Sequence, residues 1–329
     1  MRTVPLRLVV IVYWVVATAC SHLPICAGQD APSASSNWQL KPNESVARVG
    51  PQGIIWQFNY SNKNAKPCFH PVAMPSGEVL TWDQPVDHAW HHALWFSWKT
   101  INGINYWEED PQTGQSAGKT SWSNVIIQTH DDGRASITMD LSYSVPGEQP
   151  ILTEKRTVLI SPLDENAQQY HFDWSSTFTA GAAEVVLDRT PVPPDPAGKM
   201  WGGYAGLSIR FAEDLTDRLA FSANGSAEFS NQSIHRSKNM AMDYNGLIDG
   251  RPVGIAMMDH PDNRRYPTPW YAIRSEMSYL NAAFLTYQPY TLQASESFSL
   301  CYRRLVVHQN RWDDTMLQAA YERYLSELR

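Results

Sequence analysis

The chain is poor in cysteine and in long hydrophobic runs. Only four of its 329 residues are cysteine, and no stretch after Ala19 reaches the roughly 18 consecutive apolar residues that a membrane-spanning helix needs. A CxxC pair, a glycine-rich phosphate loop and a G-x-S-x-G nucleophile elbow are also missing. We therefore expect no transmembrane segment after the N-terminal region and none of the sites that these motifs mark.

Positive charge is also in short supply. Lysine and arginine number 26 against 33 acidic residues, a net charge of −7, which argues against nucleic acid as a partner. Hydrophobic residues make up 43% and charged residues 18%, a composition that supports a globular core. The 13 tryptophans and 15 tyrosines are typical both of all-β proteins that handle carbohydrates and of well-packed sandwiches without a ligand.

The N-terminus has the pattern of an export signal over residues 1–28, with two early arginines and an apolar run from Leu8 to Ala19. Cleavage near Gly28 would release a periplasmic or extracellular protein. Alternatively, Cys20 would be lipidated and would anchor the chain to a membrane. We favour the first route, because Ala17 is smaller than the residue that a lipoprotein signal prefers.

After a polar linker over residues 29–45, strand patterns dominate a single domain over residues 46–329. Polar and apolar residues alternate from Ile137 to Tyr143, the period of a half-buried strand. Asp249-Gly250 separates two further apolar runs, as in a β-hairpin. Only residues 312–328 show helical spacing. The sequence predicts a large antiparallel β-sandwich with a short C-terminal helix.

Two cysteines, Cys68 and Cys301, would remain in the mature chain. An exported protein can carry one disulfide between them, but two free, buried thiols are an equal alternative.

Histidine and tryptophan are concentrated between Phe69 and Glu109. This segment holds four of the ten histidines: His70, His88, His91 and His92. It also holds five tryptophans: Trp82, Trp90, Trp95, Trp98 and Trp107. Imidazoles bind metals or move protons near neutral pH, and indole faces can stack on sugar rings. A functional site is therefore predicted here.

The spacing of His88 and His91 can present both imidazoles to one cavity, with Asp87 as an orienting carboxylate and His70 on a neighbouring strand. This group could bind a divalent metal through His70, His88 and His91. It could equally serve as an acid–base pair acting on a sugar oxygen. His92 is interpreted as a structural residue.

Several short motifs together resemble a bacterial family named "methane oxygenase PmoA-like", whose function is unknown. They are His70-Pro71, Pro75-Ser76-Gly77, Asp87-His88, Trp90-His91, Leu94-Trp95-Phe96, Asn102-Gly103, Tyr106-Trp107, Asp249 to Ala256, Asp259-His260-Pro261, Asn263-Arg264 and Pro267 to Trp270. The resemblance covers roughly residues 66–308 and departs from the family pattern at Ala89 and at His92-Ala93. It implies a galactose-mutarotase-like β-supersandwich. A methane oxygenase is excluded, because such a subunit is a bundle of membrane helices.

The second block of these motifs forms a loop after a predicted strand, where a rigid scaffold can display functional groups. We predict His260 and Arg264 at the rim of the site, with the arginine binding a carboxylate or hydroxyls and Trp270 stacking on a ring. Mutarotase-like enzymes pair a histidine with a carboxylate, and Glu154 is the candidate for that role. Glu108, Glu109 and Asp243 remain open alternatives.

These patterns predict an exported carbohydrate-active protein that acts on a sugar or oligosaccharide as an epimerase, lyase or hydrolase. The predicted catalytic residues are His88, His91, His260 and Glu154. The predicted substrate-binding residues are His70, Trp90, Trp95, Arg264 and Trp270. One alternative is a non-catalytic glycan-binding module that stacks sugars on Trp90, Trp95 and Trp270. Another is an enzyme with a metal held by His70, His88 and His91.

Overall fold

The computed structural model describes residues 37–328, apart from the side chains of Tyr302 and Arg303. The predicted signal peptide over residues 1–28, the lipid-anchor candidate Cys20 and the first part of the predicted linker lie outside the described residues. The described chain forms one compact unit.

The described residues form 22 strands and one α-helix. The elements are β1 (Trp38–Lys41), β2 (Ser45–Gly50), β3 (Gly53–Asn59), β4 (Cys68–Val72), β5 (Leu94–Ser97), β6 (Thr100–Ile101), β7 (Ile104–Asn105), β8 (Lys119–Thr129), β9 (Ala135–Ser144), β10 (Leu152–Ile160), β11 (Gln169–Ala180), β12 (Val185–Asp188), β13 (Gly206–Arg210), β14 (Thr216–Ser222), β15 (Gly225–Ser226), β16 (Ile234–Lys238), β17 (Ala241–Ile248), β18 (Arg251–Met258), β19 (Pro269–Ile273), β20 (Tyr279–Ala282), β21 (Tyr290–Leu292), β22 (Ser297–His308) and α1 (Asp314–Glu327).

The strands form two nine-stranded sheets and one four-stranded sheet. The first sheet has the order β1-β2-β3-β4-β5-β13-β20-β19-β16, and the second has the order β15-β14-β17-β18-β22-β11-β10-β9-β8. The third sheet has the order β21-β12-β6-β7. All of the pairings between these strands are antiparallel. The predicted all-β class with one C-terminal helix is confirmed.

The main core lies between the first and second sheets. Phe69 of β4 meets Phe172 of β11 with ring centroids 4.9 Å apart. Phe211, directly after β13, stacks on Tyr244 of β17 at 4.5 Å. These contacts cross from one large sheet to the other, so the two sheets pack face to face as a sandwich.

Strand alternation places the inward side chains as the sequence predicts. In β9 every second residue is buried, from Ala135 through Ile137 to Tyr143. The predicted hairpin between β17 and β18 turns at Asp249 and Gly250, which have φ angles of 50° and 73°. A type I′ hairpin turn requires positive φ at both central positions, which favours Asp-Gly.

The C-terminal helix covers the outer face of the second sheet. Leu317 and Tyr321 are buried against Ala256 and Met258 of β18. The helix begins after Asp313, whose side chain accepts a hydrogen bond from the Met316 amide at 2.9 Å, an N-cap arrangement. No helix in the described part of the chain is long and apolar enough to cross a membrane.

The predicted linker over residues 29–45 extends too far along the chain. Trp38–Lys41 forms the edge strand β1, paired with β2, and the Trp38 ring packs on Trp56 at 5.5 Å. Polar composition suggested a linker, but an edge strand pairs on one side only and commonly carries polar or charged side chains that face water.

The disulfide alternative for the two mature cysteines is not found. Cys68 and Cys301 are both free thiols. They lie in different sheets, since Cys68 opens β4 and Cys301 belongs to β22.

Candidate functional site

The outer face of the first sheet carries a cluster of aromatic side chains. In β5, Leu94 and Phe96 face the main core, whereas Trp95 between them points to the opposite side, because side chains alternate along a strand. The same alternation sends Tyr271 of β19 and Tyr279 of β20 to this outer face. Loops that follow β4, β7 and β12 cover the face and enclose a cavity.

This aromatic cavity has a volume of about 410 Å³, which is suitable for a small ligand. Its lining is His88, Trp90, His91, Trp107, Glu108, Trp201, Tyr204, Tyr271, Ile273, Met277 and Tyr279. Two of the predicted catalytic histidines and one of the predicted stacking tryptophans therefore meet in one place.

His88 is held by a carboxylate at the mouth of the cavity. Its Nδ1 lies 3.0 Å from Asp87 Oδ2, and its side chain is 32% exposed. The Arg210 guanidinium donates to both Asp87 oxygens, at 3.0 and 2.8 Å. Burial would raise the pKa of Asp87, but the bonds from His88 and Arg210 outweigh it and lower the pKa. An ionised Asp87 fixes the proton on Nδ1 and leaves Nε2 as the basic nitrogen.

His91 is a buried imidazole within the aromatic cluster. It stacks on His88 with ring centroids 4.8 Å apart and on Tyr279 at 5.3 Å. Burial, followed by the charge of nearby His88, lowers the pKa of His91 well below its ordinary value. Its Nδ1 has no hydrogen-bond partner among the described residues. His91 therefore stays neutral at physiological pH and offers a hydrogen-bonding nitrogen to a ligand.

Glu108 contributes the carboxylate of the cavity. It forms an ion pair with Lys99 and accepts a hydrogen bond from the Tyr204 hydroxyl at 2.8 Å. Burial and the charge of Glu108 raise the pKa of Tyr204, which keeps the hydroxyl protonated. Glu108 was one of several open carboxylate candidates, and it is the one that lines the aromatic cavity.

Another part of the lining comes from the loop between β12 and β13, after its proline-rich stretch over residues 191–196. Arg236 of β16 donates to the carbonyls of Met200 and Gly202 at 2.6 and 2.7 Å. These bonds fix Trp201 at the cavity, where half of its side chain remains exposed. Sequence reasoning missed Trp201 and Tyr204. Their Trp-Gly-Gly-Tyr spacing could have suggested a stacking loop, but nothing in it points to residues more than 90 positions earlier.

Two predicted stacking tryptophans do not present a free face. Trp95 is fully buried and supports His91 from behind, with ring centroids 5.2 Å apart. Trp270 is also fully buried, and its indole nitrogen donates to the Asn239 carbonyl at 2.7 Å. Trp270 faces the main core, so its neighbour Tyr271 takes the position at the cavity that the sequence assigned to Trp270.

A second, polar cavity of about 560 Å³ lies beside His70 and His92. His92 bridges two carboxylates, with Nε2 2.8 Å from Glu109 and Nδ1 3.3 Å from Asp83. Glu109 also pairs with Lys66, whose buried ammonium donates to the Trp107 carbonyl at 3.0 Å. His92, interpreted from the sequence as a structural residue, is therefore a buried, hydrogen-bonded member of a charged network.

The predicted ligand set of His70, His88 and His91 is not confirmed. His70 lines the polar cavity and bonds Thr81 Oγ1 at 3.1 Å, whereas His88 and His91 line the aromatic cavity. In residues 37–328 the ligand atoms that do converge belong to Cys68, Asp83 and His92, all within 4.8 Å of one another.

Glu154 lies inside the sandwich and does not line either cavity. It is 1% exposed and accepts hydrogen bonds from Arg156, from the Tyr143 hydroxyl at 2.5 Å and from Ser176 at 2.6 Å. The structure thus places Glu154 in a buried network away from His88. Asp243, another open candidate, is likewise fully buried.

The loop after β18 lies against the second sheet. Asn263 donates to Asp259 at 2.6 Å and to the Cys301 carbonyl at 2.8 Å. His260 lines a small cavity of about 160 Å³ with Cys301, and Arg264 pairs with Glu296 at 3.3 Å. His260 and Arg264 are therefore not brought together with His88 and His91.

The buried carboxyl of Asp259 gives this loop a pH-dependent stability. Burial raises the pKa of Asp259 from 3.8 to about 6, so the folded state holds this proton more tightly than the unfolded chain. The contribution of Asp259 to the free energy of unfolding therefore falls as pH rises from about 4 to 6, by at most about 3 kcal/mol. We expect the stability of an Asp259→Asn variant, relative to the parent, to increase over that range. Urea unfolding at pH 4 and pH 7 checks this, and a pH-independent difference contradicts it.

The chain belongs to a family of unknown function, DUF6807, whose sequence model matches residues 52–322. This range covers both cavities. No curated protein matches the chain.

Proposed function

We propose that this member of the family processes a sugar or oligosaccharide in the aromatic cavity, with His88 as the acid–base group and Glu108 as its carboxylate partner. One observation carries the proposal. A carboxylate-held imidazole and a second carboxylate line the same cavity of about 410 Å³, which is otherwise walled by aromatic rings.

The aromatic rings supply the binding surface. Trp90 lies 5.3 Å from the His88 ring, and the half-exposed Trp201 lines the same cavity. Sugar rings present C–H groups on their faces and hydroxyls on their edges, and indole rings match the apolar faces. The Tyr204 hydroxyl and the neutral His91 ring add polar contacts for the hydroxyls.

His88 performs the proton transfer in this proposal. Asp87 holds Nδ1–H, so Nε2 accepts a proton from a sugar hydroxyl or ring carbon and later returns it. His91 was also predicted as a catalytic histidine. We assign it a positioning and hydrogen-bonding role, because burial lowers its pKa: the neutral ring is a weaker base than an ordinary imidazole and carries no acidic proton at neutral pH.

Glu108 stabilises positive charge as it develops on the substrate or binds a hydroxyl of the substrate. Lys99 and Tyr204 hold its oxygens in place, which is the preorganisation that favours a charged transition state. Epimerase, lyase and hydrolase chemistry each use such a pair of groups. The reaction type depends on the substrate that the cavity selects.

A panel of mono- and oligosaccharides tests the binding step. We expect Trp201→Ala to weaken the binding of the best ligand by about 1–2 kcal/mol, or roughly 5- to 30-fold in Kd, because an exposed stacking face is lost. Tyr287→Ala is the matched control, since Tyr287 is similarly half exposed and lies outside the cavity lining. Isothermal titration calorimetry measures both. Equal effects of the two changes, or no binding across the panel, contradict the proposal.

We also propose that the chain is exported and that its sandwich is of the galactose-mutarotase-like type. The support is the charged and apolar pattern of residues 1–28 and the pair of nine-stranded antiparallel sheets. N-terminal sequencing and intact mass of the protein recovered from the medium and from the cell fractions of a bacterial host test the proposed export. Cleavage near Gly28 or an acylated Cys20 supports export, and an intact N-terminus contradicts it.

A further inference from the structure

Three side chains of different chemistry converge at one edge of the polar cavity. Cys68 is the first residue of β4, and Asp83 and His92 face each other across a β-bridge. Their ligand atoms lie within 4.8 Å of one another. Bonds of about 2.0–2.3 Å place tetrahedral ligand atoms roughly 3.5 Å apart. An ion would therefore draw these atoms together by only about an ångström.

The orientation of His92 suits a metal ligand. Its Nε2–H donates to Glu109 at 2.8 Å, and Lys66 in turn pairs with Glu109. The Nδ1 atom is thereby directed toward Asp83, 3.3 Å away. A histidine that binds a metal through one nitrogen normally donates its other N–H to a carboxylate or carbonyl, which fixes the ring. Glu109 occupies that supporting position.

The other two candidate ligands, Asp83 and Cys68, also have surroundings that suit metal binding. Asp83 Oδ1 is buried and lies 3.3 Å from His92 Nδ1 without an aligned hydrogen bond between them. A metal ion between these two atoms would give each of them a well-aligned partner. Cys68 is a free thiol with 2% exposure. A set of one sulfur, one nitrogen and one oxygen favours zinc and related transition metals over magnesium or calcium.

We propose that Cys68 Sγ, His92 Nδ1 and an Asp83 oxygen bind one divalent transition metal ion of the zinc class. The fourth coordination position of the metal would open to the polar cavity of about 560 Å³, which His70 and Asn59 also line. Three protein ligands with one open position are typical of zinc ions that bind water or a substrate rather than of purely structural sites. The metal site lies outside the aromatic cavity and does not depend on the proposed sugar chemistry.

Cobalt substitution tests this site directly, because a thiolate bound to Co²⁺ gives a charge-transfer band in the near ultraviolet. The protein is the full chain with Cys20 and Cys26 replaced by serine, purified without a histidine tag and stripped with a chelator. Only Cys68 and Cys301 then remain as thiols. We expect one equivalent of Co²⁺ to produce the band and Zn²⁺ to displace it.

The variants separate this site from adventitious binding. Cys68→Ser should abolish the band and weaken Zn²⁺ binding by at least about 100-fold, whereas Cys301→Ser should leave both unchanged. Glu109→Gln should weaken Zn²⁺ binding by about 10- to 100-fold while keeping the band. Circular dichroism verifies folding, and Asp83→Asn replaces Cys68→Ser if the latter unfolds. Absence of the band in the parent, or unchanged affinity in a folded Cys68 or Asp83 variant, overturns the proposal.

Discussion

Replacement of Arg156 by methionine is expected to lower the free energy of unfolding by about 3–5 kcal/mol. The Arg156 guanidinium is 1% exposed and donates to both oxygens of Glu154, at 2.7 and 3.0 Å. It also lies over the Trp174 ring, 4.9 Å from the centroid. Without the arginine, the Glu154 carboxylate would stay in the core with only two hydroxyl donors. An unpaired buried charge costs more than the ion pair contributes, which explains the size of the expected loss.

Lys155→Met is the matched control for this change. Lys155 is the intervening residue of β10 and points to solvent, so the same substitution there should change the free energy of unfolding by no more than about 0.5 kcal/mol. Urea denaturation at neutral pH measures all three proteins. A loss below about 1 kcal/mol for Arg156→Met would show that the buried pair contributes little to stability.

Substitution of Glu154 distinguishes a structural role of this residue from a catalytic one. We expect Glu154→Gln to reduce stability, because an amide replaces a carboxylate that receives bonds from Arg156, Tyr143 and Ser176. A catalytic Glu154 would instead cost turnover at unchanged stability. Thermal melting combined with an activity assay on the same sample distinguishes the two results.

Local patterns were enough to predict the all-β class and individual strands and turns. Alternation in β9 and the Asp-Gly turn between β17 and β18 depend on neighbouring residues, and both are found as predicted. The order of strands in the two large sheets depends on contacts between distant residues. No local signal reports that β5 pairs with β13 or that β22 lies between β18 and β11.

The residues that line the aromatic cavity come partly from one segment rich in histidine and tryptophan and partly from distant strands and loops, and the sequence could group only the first set. His88, His91 and Trp90 are close in sequence and meet in the aromatic cavity. Tyr279 and Trp201 reach it from far along the chain, and aromatic residues in strands are usually core residues. Their positions follow from sheet order, which the sequence does not reveal.

Pairs of adjacent residues with opposite surroundings show how single-residue alternation limits a prediction from sequence. Tyr271 faces the cavity and Trp270 faces the core, although the sequence suggested that the tryptophan would bind the ligand. In the same way, His91 points into the aromatic cavity and His92 into the charged network beside Asp83. Adjacent side chains of an extended chain point to opposite sides. A shift of one residue therefore exchanges a side chain that lines the aromatic cavity for one that faces the core or the charged network.

Replacement of His88 by alanine is expected to lower kcat by roughly 10²- to 10⁴-fold on the glycan that the parent converts, with little change in Kd. The reason is that Nε2 of His88 moves the proton while the aromatic walls supply most of the binding. Asp87→Asn should also lower kcat, because an amide no longer fixes the proton on Nδ1. His130→Ala is the control, since His130 is exposed in the turn before β9. Steady-state kinetics and calorimetry on the four proteins distinguish catalysis from simple glycan binding. An unchanged kcat in His88→Ala would show that His88 does not take part in the chemistry. Binding without turnover in the parent would identify a glycan-binding module.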